Sequence, residues 1–239
     1  MLWLNDFKRL GPKPGGTVPG WLAESRIDGS RWIIKFVSDD ILAQNEVLAA
    51  KLYEHAGVRV PELQLMEYEG NNGVMRLAVA SRFDANLRKP DFLDGSVMGL
   101  MEGFLVDCWL ANWDVIGLEY DNILRDDYGA VRVDVGGSLL FRAQGQPKGK
   151  TFGPQVIEVF SMLNPDINPQ AYNVFKRLEE HHVLTAVQFI DAIDPAVVID
   201  LVSECGLPEK VTKVILDRLD FIKERFRIIP NSDAAPSVH

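Results

Sequence analysis

Four short segments of this 239-residue chain carry residues suited to handling a nucleoside triphosphate with magnesium. The first, Gly11 to Gly20, holds four glycines and three prolines. Backbone N–H groups at Gly15, Gly16 and Gly20, with the Thr17 hydroxyl, could approach phosphate oxygens there, because glycine has no side chain to block them. The second is Lys35, set between Ile34 and Phe36 in an apolar, β-branched run. The third is Glu46, placed where an ion pair to Lys35 is feasible. The fourth is a series of Asp114, Asn122 and Asp134, the last followed by Gly136 and Gly137. Phosphoryl transfer needs an acid near the attacking hydroxyl, and carboxylate and amide oxygens for magnesium. Asp114, Asn122 and Asp134 supply those groups in that order. Each part alone has a plainer reading: a surface loop, a lysine facing solvent, a solvated helix face, ordinary turn residues. Their order is what local turn chemistry does not predict.

The elements that must position these groups can be read from pattern. Asp28-Gly29 is a strong hairpin signal, joining strands at Trp21–Arg26 and Ser30–Val37. Asp39 and Asp40 cap a helix from Ile41 to Ala56, which Gly57 stops. Strands follow from Val60 to Tyr68 and from Val74 to Phe83. A helical pattern runs from Val97 to Trp113, with Phe104, Cys108 and Ala111 on one face. A strand pair at Asn122–Arg125 and Ala130–Val135 precedes a Gly-rich, basic loop from Ala143 to Gly153. The chain then reads as helical to Arg227. The expected organisation is a β-rich lobe over residues 1–84, a linker at 85–96, a helical lobe over 97–229 and a disordered tail at 230–239.

Composition sets the outer bounds. Hydrophobic residues make up 47% and charged residues 25%, as in soluble globular proteins. The net charge of −9 and a pI near 5.0 argue against non-specific nucleic-acid binding, which wants a basic patch. The densest basic stretch, Lys148-Gly149-Lys150, is short and reads as a solvated loop, or as a contact for an anionic substrate. Cys108 and Cys205 lie in apolar surroundings and read as buried thiols. His181 and His182 are adjacent, so on a helix they diverge and cannot jointly chelate a metal. His55, near a helix end, favours the helix dipole. No run of 18 apolar residues occurs, so no membrane span is expected. The N-terminal residues lack the apolar stretch of a signal peptide. The expectation is a cytoplasmic protein, or one delivered into a host cell by a specialised secretion system. A monomer is expected.

These motifs resemble the atypical kinases that include HipA-like kinases and phosphatidylinositol 3-/4-kinases. They are most similar to a small bacterial and phage-associated group with a Gly-Gly-x-x-Pro-Gly loop. The resemblance rests on Gly15–Gly20, Ile34-Lys-Phe36, Asn45–Ala49, Gly57–Pro61, Ala80–Phe83, Asn112-Trp-Asp114, Asp121–Leu124 and Val133–Gly137, within residues 11–150. It implies an α+β, bilobal protein kinase-like fold, with a β-rich N-lobe holding one helix and a mostly helical C-lobe. It implies an enzyme that uses ATP and Mg2+, most readily a protein Ser/Thr kinase of bacterial effector, toxin or phage type. Lys35 becomes the phosphate-contacting lysine and Glu46 its partner. Ser81, Arg82 and Phe83 become the hinge that meets adenine through its backbone. Asp114 becomes the catalytic acid, with Asn122 and Asp134 as metal ligands. One spacing departs from the pattern: Asp114 and Asn122 stand eight apart, against roughly five in typical kinases. The loop is lengthened, or Asp121 shares the role of Asp114. Trp113 also stands where a histidine is usual. Adenylyl transfer, a lipid or small-molecule acceptor, and a non-catalytic binding module remain the alternatives.

Overall fold

The computed structural model describes residues 1–15, 18–92 and 97–226. Within residues 1–92 the chain builds one six-stranded sheet in the order β1-β5-β6-β4-β3-β2. Strand β1 (Leu2–Trp3) runs parallel to β5 (Leu63–Glu69), and every other pairing is antiparallel. Strand β2 (Phe7–Pro12) pairs only with β3 (Gly20–Ser25), so it forms the edge. That placement explains how Gly11 and Pro12, read from sequence as loop, extend a strand: an edge strand tolerates a residue with no N–H.

Alternation along the strands decides what each face presents. In β4 (Arg31–Lys35), Trp32 and Ile34 join Phe7, Ala23, Met66, Ala78 and Ala80 in a small apolar layer. Period two therefore puts Ile33 and Lys35 on the opposite face. There Lys35 stands across from Val79 of β6 (Met75–Arg82), which belongs to the main core. Helix α1 (Asp40–His55) covers this second face.

Helix α1 is held at both ends. The Asp39 side chain accepts from the Ile41 N–H at 3.2 Å, and the Asp40 carboxylate accepts from Leu77 N and Arg76 Nε at 3.0 Å each. Gly57, at φ 78°, closes the other end, with Val58 N donating to the Tyr53 carbonyl. Between these caps, Val47, Leu48, Leu52 and Tyr53 enter the core.

The second half is helical apart from a two-stranded ribbon, β7 (Ile123–Asp126) and β8 (Gly129–Arg132). Helices α2 (Phe104–Trp109), α3 (Glu158–Ser161), α4 (Pro169–Phe175), α5 (Glu180–Asp191), α6 (Pro195–Glu204) and α7 (Glu209–Arg225) follow in order. Among the described residues no single helix is long and apolar enough to cross a membrane. Cys108 and Cys205 are free and buried, as expected. His181 and His182 lie on α5, where the His182 ring accepts from the Glu179 N–H that opens the helix.

One predicted helix is much shorter than its apolar pattern suggested. Instead of Val97 to Trp113, only Phe104–Trp109 is α-helical. Gly99 turns the chain at φ 75° upstream. Downstream, Ala111 takes φ 55°, with its N–H on the Cys108 carbonyl and Asn112 N on the Asp107 carbonyl. This is a helix-ending motif that glycine normally fills. An alanine there costs about 1–2 kcal/mol in the left-handed region.

Two buried arginines brace this turn. Arg132 makes a two-pronged pair with Asp107, at 2.9 and 2.8 Å, and both side chains are fully enclosed. Tyr53 of α1 donates to Asp107 at 2.9 Å, and Asn112 donates to Tyr53 Oη at 3.0 Å. Gly103 has no side chain because the Arg132 guanidinium occupies the space where a Cβ would stand. Arg218 of α7 donates to the Trp109 and Cys108 carbonyls and to Glu158 Oε2, at 2.7–2.8 Å.

Candidate active site

Strand alternation, not chance, aims Lys35 at α1. Its ammonium lies 2.7 Å from Glu46 Oε1 and 3.3 Å from Asp134 Oδ1. The reading of a lysine facing solvent is thereby corrected: its side chain is 11% exposed. Burial alone would lower the Lys35 pKa, yet the Glu46 and Asp134 carboxylates outweigh it and hold the ammonium above its ordinary value. Lys35 is a fixed cation between two acids that are 88 residues apart in sequence.

Asp134 follows β8 and opens the Gly136-Gly137 turn, whose Gly136 N–H donates back to Asp134 Oδ1 at 3.3 Å. A Cβ on Gly136 would stand 3.1 Å from Glu46 Oε2 and 3.6 Å from Asp134 Oδ1, so glycine keeps this space open. The Asp134 side chain is half-exposed.

Asp114 sits in an irregular loop after α2, and the structure holds that loop by its carbonyls. Leu139 N donates to Leu110 O at 2.7 Å, and Lys148 Nζ to Ala111 O at 2.7 Å. Val115 N donates to Asn112 O, Asn168 Nδ2 to Trp113 O at 2.7 Å, and Asn122 Nδ2 to Asp114 O at 2.8 Å. Burial, with the charges of Asp134 and Asp121, pushes the Asp114 carboxyl above its ordinary value. A carboxylate so shifted accepts a proton more readily.

The Asn122 bond also fixes its amide. A carbonyl can only accept, so the NH2 end faces Asp114 and Oδ1 is the free end. The lengthened Asp114–Asn122 interval is taken up by a turn at Gly117, at φ 74°. A Cβ there would lie 2.9 Å from both Asn122 Cγ and Asp121 Oδ1, so the loop closes tightly enough to keep Asn122 beside Asp114.

Asn122 and Asp134 offer an amide oxygen and a carboxylate, hard donors of the kind magnesium accepts. Among the described residues no cluster of three or more His, Cys, Asp or Glu could hold a metal ion alone. Those two donors would leave the rest of a magnesium shell to phosphate and water. The residues fit magnesium in that sense.

Of the Gly-rich loop, Gly15 and Gly20 are described, while Gly16 and Thr17 lie outside the described residues. Gly20 pairs across the hairpin with Lys35, and a Cβ there would meet the Ile34 carbonyl and Lys13 Cδ. Sequence reading missed Lys13. Its ammonium donates to the Gly15 carbonyl, and burial followed by the Lys35 charge lowers its pKa. Lys13 thus reaches toward Lys35 and adds a second cation at the loop. Its signal in the sequence was a lone lysine between two prolines.

Ser81 and Arg82 close β6, and Phe83 follows it. The N–H groups of Arg82 and Phe83 are already engaged, by the Glu62 and Arg31 carbonyls at 2.9 Å each. Lys148 corrects another expectation. Its ammonium is turned inward onto Ala111 O and Gly137 O, each at 2.7 Å, instead of being solvated. A separate hollow of about 420 Å3 on the outer side of α1, lined by Val47, Lys51, Leu65 and Cys205, holds none of these residues.

No family model and no curated protein matches this chain by sequence. Its fold is similar to that of the Helicobacter pylori proinflammatory kinase CtkA, with a TM-score of 0.58 at 14% identity, over 91% of this chain and 92% of that one. The Cydia pomonella granulovirus kinase PK-1 aligns over 95% of this chain and 96% of its own, with a TM-score of 0.40 at 12% identity. The fold is α+β and kinase-like, with a curled sheet in the N-terminal lobe and a helical C-terminal part.

Proposed function

We propose that this protein is an ATP-dependent phosphotransferase that moves the γ-phosphoryl group to a Ser or Thr hydroxyl of a protein. One observation carries the reading: Lys35, Glu46 and Asp134 converge within salt-bridge distance from three separate elements. Asp114 lies near enough to feel the Asp134 charge. Support comes also from the kinase-like fold. The Gly-Gly-x-x-Pro-Gly loop keeps the atypical-kinase resemblance within the proposal.

The roles within this proposal are as follows. Lys35, oriented by Glu46, holds phosphate oxygens of the donor. Asn122 and Asp134 would hold magnesium, which would neutralise charge on those oxygens. Asp114 accepts the proton of the attacking hydroxyl as its oxygen bonds to the γ-phosphorus. The bond from that phosphorus to the bridging oxygen breaks, and ADP departs with the electron pair. Catalysis is then mostly positioning and charge, because little covalent chemistry falls to the protein.

A second reading, adenylyl transfer, rests on the eight-residue span from Asp114 to Asn122. Incubation with magnesium and ATP labelled at the α- or the γ-phosphorus separates the two. The expected result is γ-label alone on an acceptor protein, lost in Asp134→Ala. Label from the α-position moves the assignment to AMP transfer. Absence of label from both positions overturns the protein-acceptor claim.

A further inference from the structure

Lys148 lies in none of the segments that the phosphotransferase reading uses, yet it touches two of them. Its ammonium donates to the carbonyl of Ala111, three residues before Asp114, and to that of Gly137, three residues after Asp134, at 2.7 Å each. The bonds run from the side-chain nitrogen to main-chain oxygens, so they fix backbone and not side-chain position. Ala111 is also one of the few non-glycine residues at positive φ. A strained backbone persists where surrounding contacts over-determine it. Here the strained carbonyl is the one that Lys148 holds.

The lysine is itself fixed. Lys148 N donates to Leu140 O, Arg142 N to Gln146 O, and Phe141 bridges Pro147, so residues 140–148 fold back on themselves. Helix α1 closes the same junction from above: Asn45 donates to Ser138 O and accepts from Leu140 N, both at 3.0 Å. Leu139 N donates to Leu110 O. Burial lowers the Lys148 ammonium to about 7, with Glu158 of α3 opposing that shift and Arg218 of α7 and Arg142 adding to it. Lys148 is partly buried, with its side-chain nitrogen turned onto the two carbonyls.

We propose that Lys148 is a positioning residue that joins the loop bearing Asp114 to the loop bearing Asp134, and so sets the distance between the proton acceptor and the metal-binding carboxylate. The catalytic part of this assignment rests on the phosphotransferase reading; the structural part does not.

The test compares wild type with Lys148→Met in steady-state kinetics and in amide hydrogen exchange. With the link gone, kcat is expected to fall at least 30-fold while KM for ATP stays within threefold, since Lys35 and the Gly-rich loop are untouched. Exchange is expected to rise together in residues 110–114 and 136–140. If kcat stays within threefold, or if faster exchange is confined to 145–150, the assignment is overturned. Exchange is measured without turnover, so an inactive wild type would sink the phosphotransferase reading and leave the link between loops decided by exchange alone. Should Lys148→Met not fold, Lys148→Arg decides. It keeps a charge and several donors, so kcat within tenfold of wild type upholds the role, and background kcat in a folded Arg variant removes it.

Discussion

Replacing Glu46 by glutamine tests whether its ion pair with Lys35 serves chemistry or packing. Lys35 has two acidic partners, at 2.7 Å and 3.3 Å. With an effective dielectric constant near 20, the gross attractions are about 6 and about 5 kcal/mol. The difference is small, so a Lys35 released by Glu46 settles on Asp134. Stability should therefore fall by only about 1 kcal/mol, well short of the 3–5 kcal/mol typical of a stranded buried charge. Activity should suffer more. Lys35 drawn onto Asp134 neither reaches phosphate nor leaves that carboxylate free for magnesium. A fall in kcat/KM of about 100-fold is expected, equal to about 2.7 kcal/mol of lost transition-state stabilisation. The magnesium concentration for half-maximal rate should rise, because metal and Lys35 now compete for one group. Transfer of γ-label measured across a magnesium titration, with urea unfolding alongside, reads all three quantities. A kcat/KM within threefold of wild type would refute the reasoning. So would a loss of several kcal/mol in stability with no change in magnesium requirement, which would make Glu46 a packing residue.

Three further outcomes are expected. Arg132→Met leaves Asp107 enclosed without its cation, and should cost about 3–5 kcal/mol in urea unfolding; an added Asp107→Leu should recover much of that, visible as non-additivity in the double-mutant cycle. Ala111→Gly relieves a left-handed alanine but frees the unfolded chain, for a net gain of about 0.5–1 kcal/mol, read as a higher urea midpoint at unchanged m. Lys148 should tie stability to pH. Its folded pKa of about 7 lies below the ordinary 10.5, so between those values the unfolded chain binds more protons and this group makes stability rise with pH. The gap between wild type and Lys148→Met should widen in favour of wild type from pH 7 upward, by at most about 1.4 kcal/mol per unit. Burial, opposed by Glu158 and aided by Arg218 and Arg142, sets the pH at which that window opens. A gap that is flat or narrows with pH would mean that the ammonium is not enclosed.

What could be read beforehand was what local chemistry determines. Asp28-Gly29 forms its hairpin, with Gly29 at φ 72° and Ser30 bonded to Asp28. Asp39 and Gly57 cap α1 within a residue or two of the expected limits. The order Lys35, Glu46, Asp114, Asn122, Asp134 was visible because those residue types stand beside strong strand and helix signals. The rest depended on distant contacts. Apolar spacing from Val97 to Trp113 imitates one long helix, yet the turn at Gly99 and the Arg132 guanidinium against Gly103 break it. Nothing local to Lys148-Gly149-Lys150 separates a solvated lysine from one aimed at carbonyls 37 and 11 residues away. Arg132 likewise looks like an exposed residue in a short strand until Asp107 is placed beneath it.

The same contacts show why the position of α1 matters more to this site than any single side chain. Asn45 and Glu46 are consecutive, so on a helix they project about 100° apart. Glu46 turns to Lys35 in the sheet, and Asn45 turns to Ser138 and Leu140 beyond the Gly136-Gly137 turn. Tyr53, two turns further on, reaches Asp107 and through Asn112 the loop of Asp114. One helix therefore addresses Lys35, the Gly136-Gly137 turn and the loop of Asp114 at once. A rotation of α1 that broke the Lys35–Glu46 pair would also pull on Ser138 and on Asn112. These are distinct bonds to different segments, held in common by a rigid element capped at both ends. These segments are consequently set as a unit, and perturbations of Glu46, Asn45 and Lys148 should be non-additive in activity, since each loosens a junction that the others share.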